Sequence, residues 1–160
     1  VEINGSGGYT HAVVVLAGGN QVWSDVPKGG VDIVSLPVVA CDSTATYTGG
    51  ESFPTERVIN LGATIGNVDT FFNTFDIPDK IIIEFDGVEV VNTGYRGDMI
   101  YQTALDAELA SRGLPPETIT SPSADTVSFV KSTATTTCLL KVYGPLPSTS
   151  WNVSVGCPVP

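Results

Sequence analysis

Positive charge is scarce in this sequence: seven Lys and Arg stand against 17 Asp and Glu, for a formal net charge of −10. A surface of that sign repels a phosphate backbone and offers no basic stripe for counterion release, which excludes nucleic acid as a partner. Histidine is scarcer still. His11 is the only imidazole, and it stands beside the apolar Val13–Leu16 stretch, where neither a Ser–His nor a Cys–His triad is expected. The three cysteines, Cys41, Cys138 and Cys157, show no Cys-x-x-Cys spacing, and this excludes a structural zinc site. No apolar run approaches the ~20 residues that a membrane-spanning helix needs, so no membrane insertion is expected. Neither a Gly-x-Gly-x-x-Gly turn nor a Walker loop occurs, and the ordinary nucleotide-binding readings fall with them. Together these absences point away from an enzyme.

What is abundant is turn chemistry. Seventeen Gly and 11 Pro are scattered among residues that are 42% hydrophobic and only 15% charged, a composition of many short elements in one packed domain. Residues 1–40 are glycine-rich: Gly5-Ser6-Gly7-Gly8, Gly18-Gly19 and Gly29-Gly30 separate apolar stretches at Thr10–Leu16, Gln21–Ser24 and Val31–Val39. These read as two or three strands of an arm or small sheet, with the boundary between Pro37 and Cys41-Asp42.

Residues 41–160 carry a regular strand signal at Glu56–Leu61, Val68–Phe75, Lys80–Phe85, Val88–Thr93, Thr126–Lys131, Thr136–Tyr143 and Trp151–Cys157. In the last of these Trp151, Val153, Val155 and Cys157 alternate with Asn152, Ser154 and Gly156, the pattern of a strand with one buried face. Asp86-Gly87 between two such runs predicts a two-residue hairpin, because both residues tolerate positive φ. One helix is expected from Met99 to Arg112, with Asp98 as N-cap, Ile100, Ala104, Leu105 and Leu109 at helical spacing, and Gly113 and Pro115-Pro116 as stop signals. The fold class that follows is all-β: an antiparallel β-sandwich of jelly-roll type with one short inserted helix.

Within the Lys80–Thr93 hairpin, Asp79 enters the first strand and Tyr95–Asp98 leaves the second, so the two ends lie close together. Asp76, Asp79 and Asp98 are therefore expected to share a calcium site, while Asp86 lies at the far turn, ~20 Å away. In the plainer alternative Asp79 is a turn residue and Asp98 a helix cap. Tyr95, Arg96 and Tyr101 are the expected contacts to a glycan or protein partner, with Tyr95 the most exposed. Arg96-Gly97-Asp98 also reads as an integrin-type tripeptide, a three-residue signal that competes with the capping role of Asp98. The cysteines leave two readings open: three buried thiols, or one bridge, which would join Cys41 to Cys157 because these bracket the main domain.

The motifs Ile77-Pro78-Asp79-Lys80, Glu84-Phe85-Asp86-Gly87-Val88, Asn92-Thr93-Gly94-Tyr95-Arg96-Gly97, Tyr143-Gly144-Pro145-Leu146 with Trp151, and Cys157-Pro158 resemble a jelly-roll appendage module of tailed-bacteriophage virion proteins, also seen in some bacterial adhesins. The resemblance covers about three quarters of the chain. It implies a non-catalytic virion structural or interaction module, capsid-decorating or tail-associated, displayed on the virion surface as a homo-oligomer and partnered by other virion proteins and host-surface glycans. Residues 1–40, which it does not cover, are expected to dock on a partner. The alternative from the residues alone is a calcium-assisted carbohydrate-binding module of a secreted or cell-surface bacterial protein.

Overall fold

A computed structural model of the chain describes residues 9–15, 21–27, 36–48 and 52–160. Two compact units divide it, Val1–Pro37 and Val38–Pro160. In the first, β1 (Tyr9–Val15) and β2 (Gln21–Pro27) pair antiparallel, from Tyr9 opposite Pro27 to Val15 opposite Gln21. The glycine pairs expected to separate the strands of this arm, and most of the expected Val31–Val39 strand, lie outside the described residues.

The second unit begins with β3 (Val38–Ala40), which takes in the last two residues of the expected Val31–Val39 strand, and β4 (Thr44–Thr48), where no strand is expected. There follow β5 (Ser52–Asn60), β6 (Gly66–Asn73), β7 (Asp79–Phe85), β8 (Val88–Arg96), a 3₁₀ turn at Met99–Tyr101, α1 (Gln102–Ser111), β9 (Ala124–Lys131), β10 (Thr137–Gly144) and β11 (Ser150–Val155). They form a five-stranded sheet ordered β3-β5-β10-β7-β8 and a four-stranded sheet ordered β4-β11-β6-β9. All pairs in this unit are antiparallel except β3 with β5. The chain crosses between sheets at every connection of this unit except β7 to β8, the crossing habit of a jelly roll, and the fold is an all-β sandwich with one inserted helix.

Alternation explains which face each strand buries. β11 sends Trp151, Val153 and Val155 inward and leaves Asn152 and Ser154 half-buried on the other side; β10 does the same with Cys138, Leu140 and Val142. These meet Ile81, Ile83 and Phe85 of β7 and Val68 and Phe72 of β6 in one core between the sheets. The β7–β8 turn places Asp86 at φ 51° and Gly87 at φ 75°, the two positive values that a type I′ hairpin requires.

A second, smaller core lies on the other face of the hairpin, where Leu105 and Leu109 of α1 and Ile119 close over Tyr95. Ile100 and Ala104, expected on the buried face of the helix, are exposed. The reason is that residues 99–101 form a tighter 3₁₀ turn, in which the Asp98 carboxylate accepts from Ile100 N at 3.0 Å; the α-helical phase starts only at Gln102. Gly113, at φ 69°, ends the helix in the left-handed conformation that glycine reaches without a steric penalty.

Candidate functional site

Two connections at one end of the sandwich build a cleft of about 420 Å³. The β6–β7 connection supplies Thr74, Phe75, Asp76 and Ile77; the β10–β11 connection and the strand after it supply Ser148, Ser150 and Asn152, and Tyr101 comes from the 3₁₀ turn.

Local chemistry shapes both walls. Asn73 Oδ1 accepts from Phe75 N at 2.9 Å, an Asx-type turn that holds Phe75 at φ 54° and leaves its ring 42% exposed. Thr74 is fully buried: its hydroxyl donates to Arg96 O at 2.6 Å and its N–H to Ser123 O at 3.0 Å. Asp98 N donates to Asp76 O at 2.8 Å, and a side chain at Gly97 would collide with Asp76 O and Pro78 Cα, so this crossing needs glycine. On the opposite wall Ser148 also adopts positive φ, 64°.

The two walls are joined beneath the cleft. Thr149 Oγ1 donates to Asp79 Oδ1 at 2.6 Å, and both residues are fully buried. Burial pushes the Asp79 carboxyl up to about 8, against the opposing pull of the Thr149 hydroxyl. Asp79 Oδ2 has no hydrogen-bond partner among the described residues. Any side chain at Gly144 would strike Asp79 Oδ1 and Thr149, so the carboxyl occupies space that only glycine leaves.

The structure corrects several expectations. Asp76 lines the cleft, but its carboxylate does not join those of Asp79 and Asp98, and among the described residues no three His, Cys, Asp or Glu side chains gather as metal ligands. The hairpin ends do meet, Asp79 pairing with Arg96. Strand alternation, however, turns Asp79 inward beside Ile81 and Ile83, while Asp98 turns outward to cap the 3₁₀ turn. Tyr95, the expected exposed contact, is fully buried. The register slips between Lys80 and Ile82, opposite Thr93 and Gly94, and Gly94 sits at φ 63°. This bulge swings Tyr95 onto the face that α1 covers. Its hydroxyl has no partner among the described residues, and burial holds its pKa far above the usual phenol value.

Arg96 is half-buried and braced, not free for a partner: Nε donates to Thr93 O at 3.0 Å and Nη1 to Ser121 O at 3.2 Å. With Gly97 buried and Asp98 capping, the Arg96–Asp98 tripeptide has no free display. Tyr101 does line the cleft, half-buried. Phe75, Ser148, Ser150 and Asn152 escaped the sequence reading. Asn73 two positions before Phe75 was the available local signal; nothing local announces that residues 148–152 lie opposite.

A disulfide joins Cys41 to Cys157, 116 residues apart with Cα atoms 5.0 Å from each other. Asp42 reinforces it, donating its N–H to Val155 O and accepting from Cys157 N. Cys138 is a buried free thiol, pushed up to about 12 by burial.

No family model matches the chain, and no curated protein matches it. Among solved structures, the pre-peptidase C-terminal domain of a collagenase from Bacillus anthracis is 10% identical with a TM-score of 0.47, covering 76% of this chain and 94% of its own. CorA, a surface-associated copper-binding protein of Methylomicrobium album BG8, is 11% identical with a TM-score of 0.48, covering 77% and 98%. CsCBM6-3 from Clostridium stercorarium, solved in complex with cellobiose, is 15% identical with a TM-score of 0.27, covering 91% and 78%. Likeness at this level assigns no function to the chain.

Proposed function

We propose that this protein is a non-catalytic binding module that holds a saccharide in the cleft between the β6–β7 and β10–β11 connections. One observation carries the reading: the exposed ring of Phe75 and the phenol of Tyr101 share a single cleft with the amide of Asn152, the hydroxyls of Ser148 and Ser150 and the carboxylate of Asp76. Planar apolar faces beside a few polar groups suit a ligand that is itself apolar on its ring faces and hydroxylated at its rim. Glycoside hydrolysis by the usual route needs two carboxyl groups flanking the bond. The lining includes one, Asp76.

The disulfide favours an oxidising compartment, as on a virion or bacterial cell surface. Display on a phage particle, implied by the family resemblance, belongs to the same proposal and is checked by co-purification of the chain with intact particles. The binding role is tested by glycan-array screening followed by calorimetry. Tyr101→Ala and Asn152→Ala are expected each to weaken binding at least tenfold without unfolding the protein. If neither substitution alters the affinity of a ligand that the parent binds, the cleft is not the site.

A further inference from the structure

The cleft does not end at its rim. Asn152, which lines it, sits on the outward face of β11, directly opposite Asn73 of β6. The next outward pair along the same two strands is Ser154 opposite Phe71, ~7 Å further on. Phe71 lies between fully buried Thr70 and Phe72, yet its own side is 46% exposed. A large ring left on the open face of a sheet, one step from a cleft that already holds two aromatics, is the kind of exposed apolar group that marks a contact surface.

The charge on this face narrows the partner. The four strands of this sheet, β4, β11, β6 and β9, contain one cation, Lys131, which is fully buried with its ammonium donating to Thr133 O at 2.7 Å. Nothing on their outward side attracts an anion. The outward side of β6 and β9 carries one carboxylate, Asp69, whose Oδ1 accepts from Asn67 Nδ2 at 2.7 Å and from Ser128 Oγ at 2.6 Å. What remains is a surface of amides, hydroxyls, the ring of Phe71 and the exposed Val130, whose charge, from Asp69, is negative and repels an anionic ligand.

Resting on the binding role proposed above, we infer that the cleft is the end of a longer track: a neutral, hydroxyl-rich polysaccharide chain runs from it along the outward face of the four-stranded sheet, with Phe71 as a further stacking platform. Aromatic stacking of this kind contributes to affinity in proportion to the rings engaged, so a longer ligand reaches Phe71 where a short one does not.

The test measures calorimetric affinities of the full chain for disaccharides and hexasaccharides derived from cellulose, xylan, mannan and chitin, with polygalacturonate as an anionic comparator. Affinity is expected to rise with length in at least one neutral series. Phe71→Ala is expected to lower hexasaccharide affinity by about tenfold and to leave disaccharide affinity unchanged; a thermal melt of the variant checks that the exposed substitution leaves the fold intact. The track is refuted if Phe71→Ala binds the hexasaccharide as tightly as the parent does. It is also refuted if polygalacturonate binds more tightly than the neutral chains, or if the substitution changes the sedimentation of the free protein instead of its affinity. In each of those cases a disaccharide held in the cleft leaves the binding role standing, whereas a chain that binds no saccharide of any length overturns both.

Discussion

Thr149 donates a 2.6 Å hydrogen bond to Asp79 across 70 residues of sequence. Each partner is flanked by residues of the cleft: Asp76 and Ile77 lie just before Asp79, and Ser148 and Ser150 enclose Thr149. The bond therefore ties one wall of the site to the other, inside the protein where water does not compete for it.

Removing the donor leaves a buried carboxyl with neither oxygen satisfied. Thr149→Val is nearly isosteric and is expected to destabilise the fold by about 1–3 kcal/mol, read as a lower urea midpoint with unchanged slope. Saccharide affinity is expected to fall with it at temperatures where the variant is still folded. An unchanged midpoint would mean that the bond contributes nothing to holding the walls.

Asp79 also sets a pH dependence. The folded protein keeps this proton up to about pH 8, whereas the unfolded chain releases it near 3.8. Unfolding therefore releases a proton between those values, so the stability contributed by this group is full below pH 3.8 and declines as pH rises towards 8, by at most about 1.4 kcal/mol per pH unit. Asp79→Asn keeps an acceptor for Thr149 and cannot ionise. Its melting temperature is expected to gain on that of the parent steadily between pH 5 and pH 8; parallel curves across that window would show that Asp79 does not titrate there.

The burial of Tyr95 separates two substitutions that an exposed contact residue would not. Tyr95→Phe deletes a hydroxyl that has no partner among the described residues, and it is expected to leave stability the same or higher. Tyr95→Ala opens a cavity beneath Leu105 and Leu109 and is expected to cost about 3–5 kcal/mol. Denaturant melts of the two variants decide this, and Tyr95→Phe should bind saccharide as the parent does.

Reduction of the Cys41–Cys157 bridge frees a loop of 116 residues. In the chain-entropy account this lowers stability by about 5 kcal/mol, measurable as a drop in melting temperature on adding a reductant that leaves the native fold intact at 25 °C. Under the same native conditions Cys138 is expected to resist alkylation, since burial holds it as a thiol. Rapid labelling of Cys138 would show that the sheets open readily.

Calcium removal is expected to leave ligand affinity unchanged. Asp98 is committed as a cap and Asp79 holds its proton at neutral pH, so neither offers a free carboxylate beside Asp76. Calorimetry with and without a chelator measures this, and a loss of affinity on chelation would restore the calcium-assisted alternative.

What could be read from the chain alone was whatever its neighbours in sequence decide. Asp86-Gly87 specified its own turn, because positive φ is a property of those two residues. The alternation from Trp151 to Val155 named its buried face, because successive strand residues point to opposite sides. The short edge strand β4 was missed, since five residues that are mostly threonine, with one alanine and one tyrosine between them, carry too little apolar signal, whereas β3 takes in only the last two residues of the expected Val31–Val39 strand.

Tertiary structure decided the rest. Whether Tyr95 faces solvent depended on one extra residue in a bulge and on a helix folding back over it. Whether the acids of residues 76–98 meet depended on which way each strand end turned. The cleft exists only because the connection near Phe75 and the connection near Ser148 come together, and a contact between segments about 70 residues apart arises from the packing of two whole sheets, which no local run of side chains encodes.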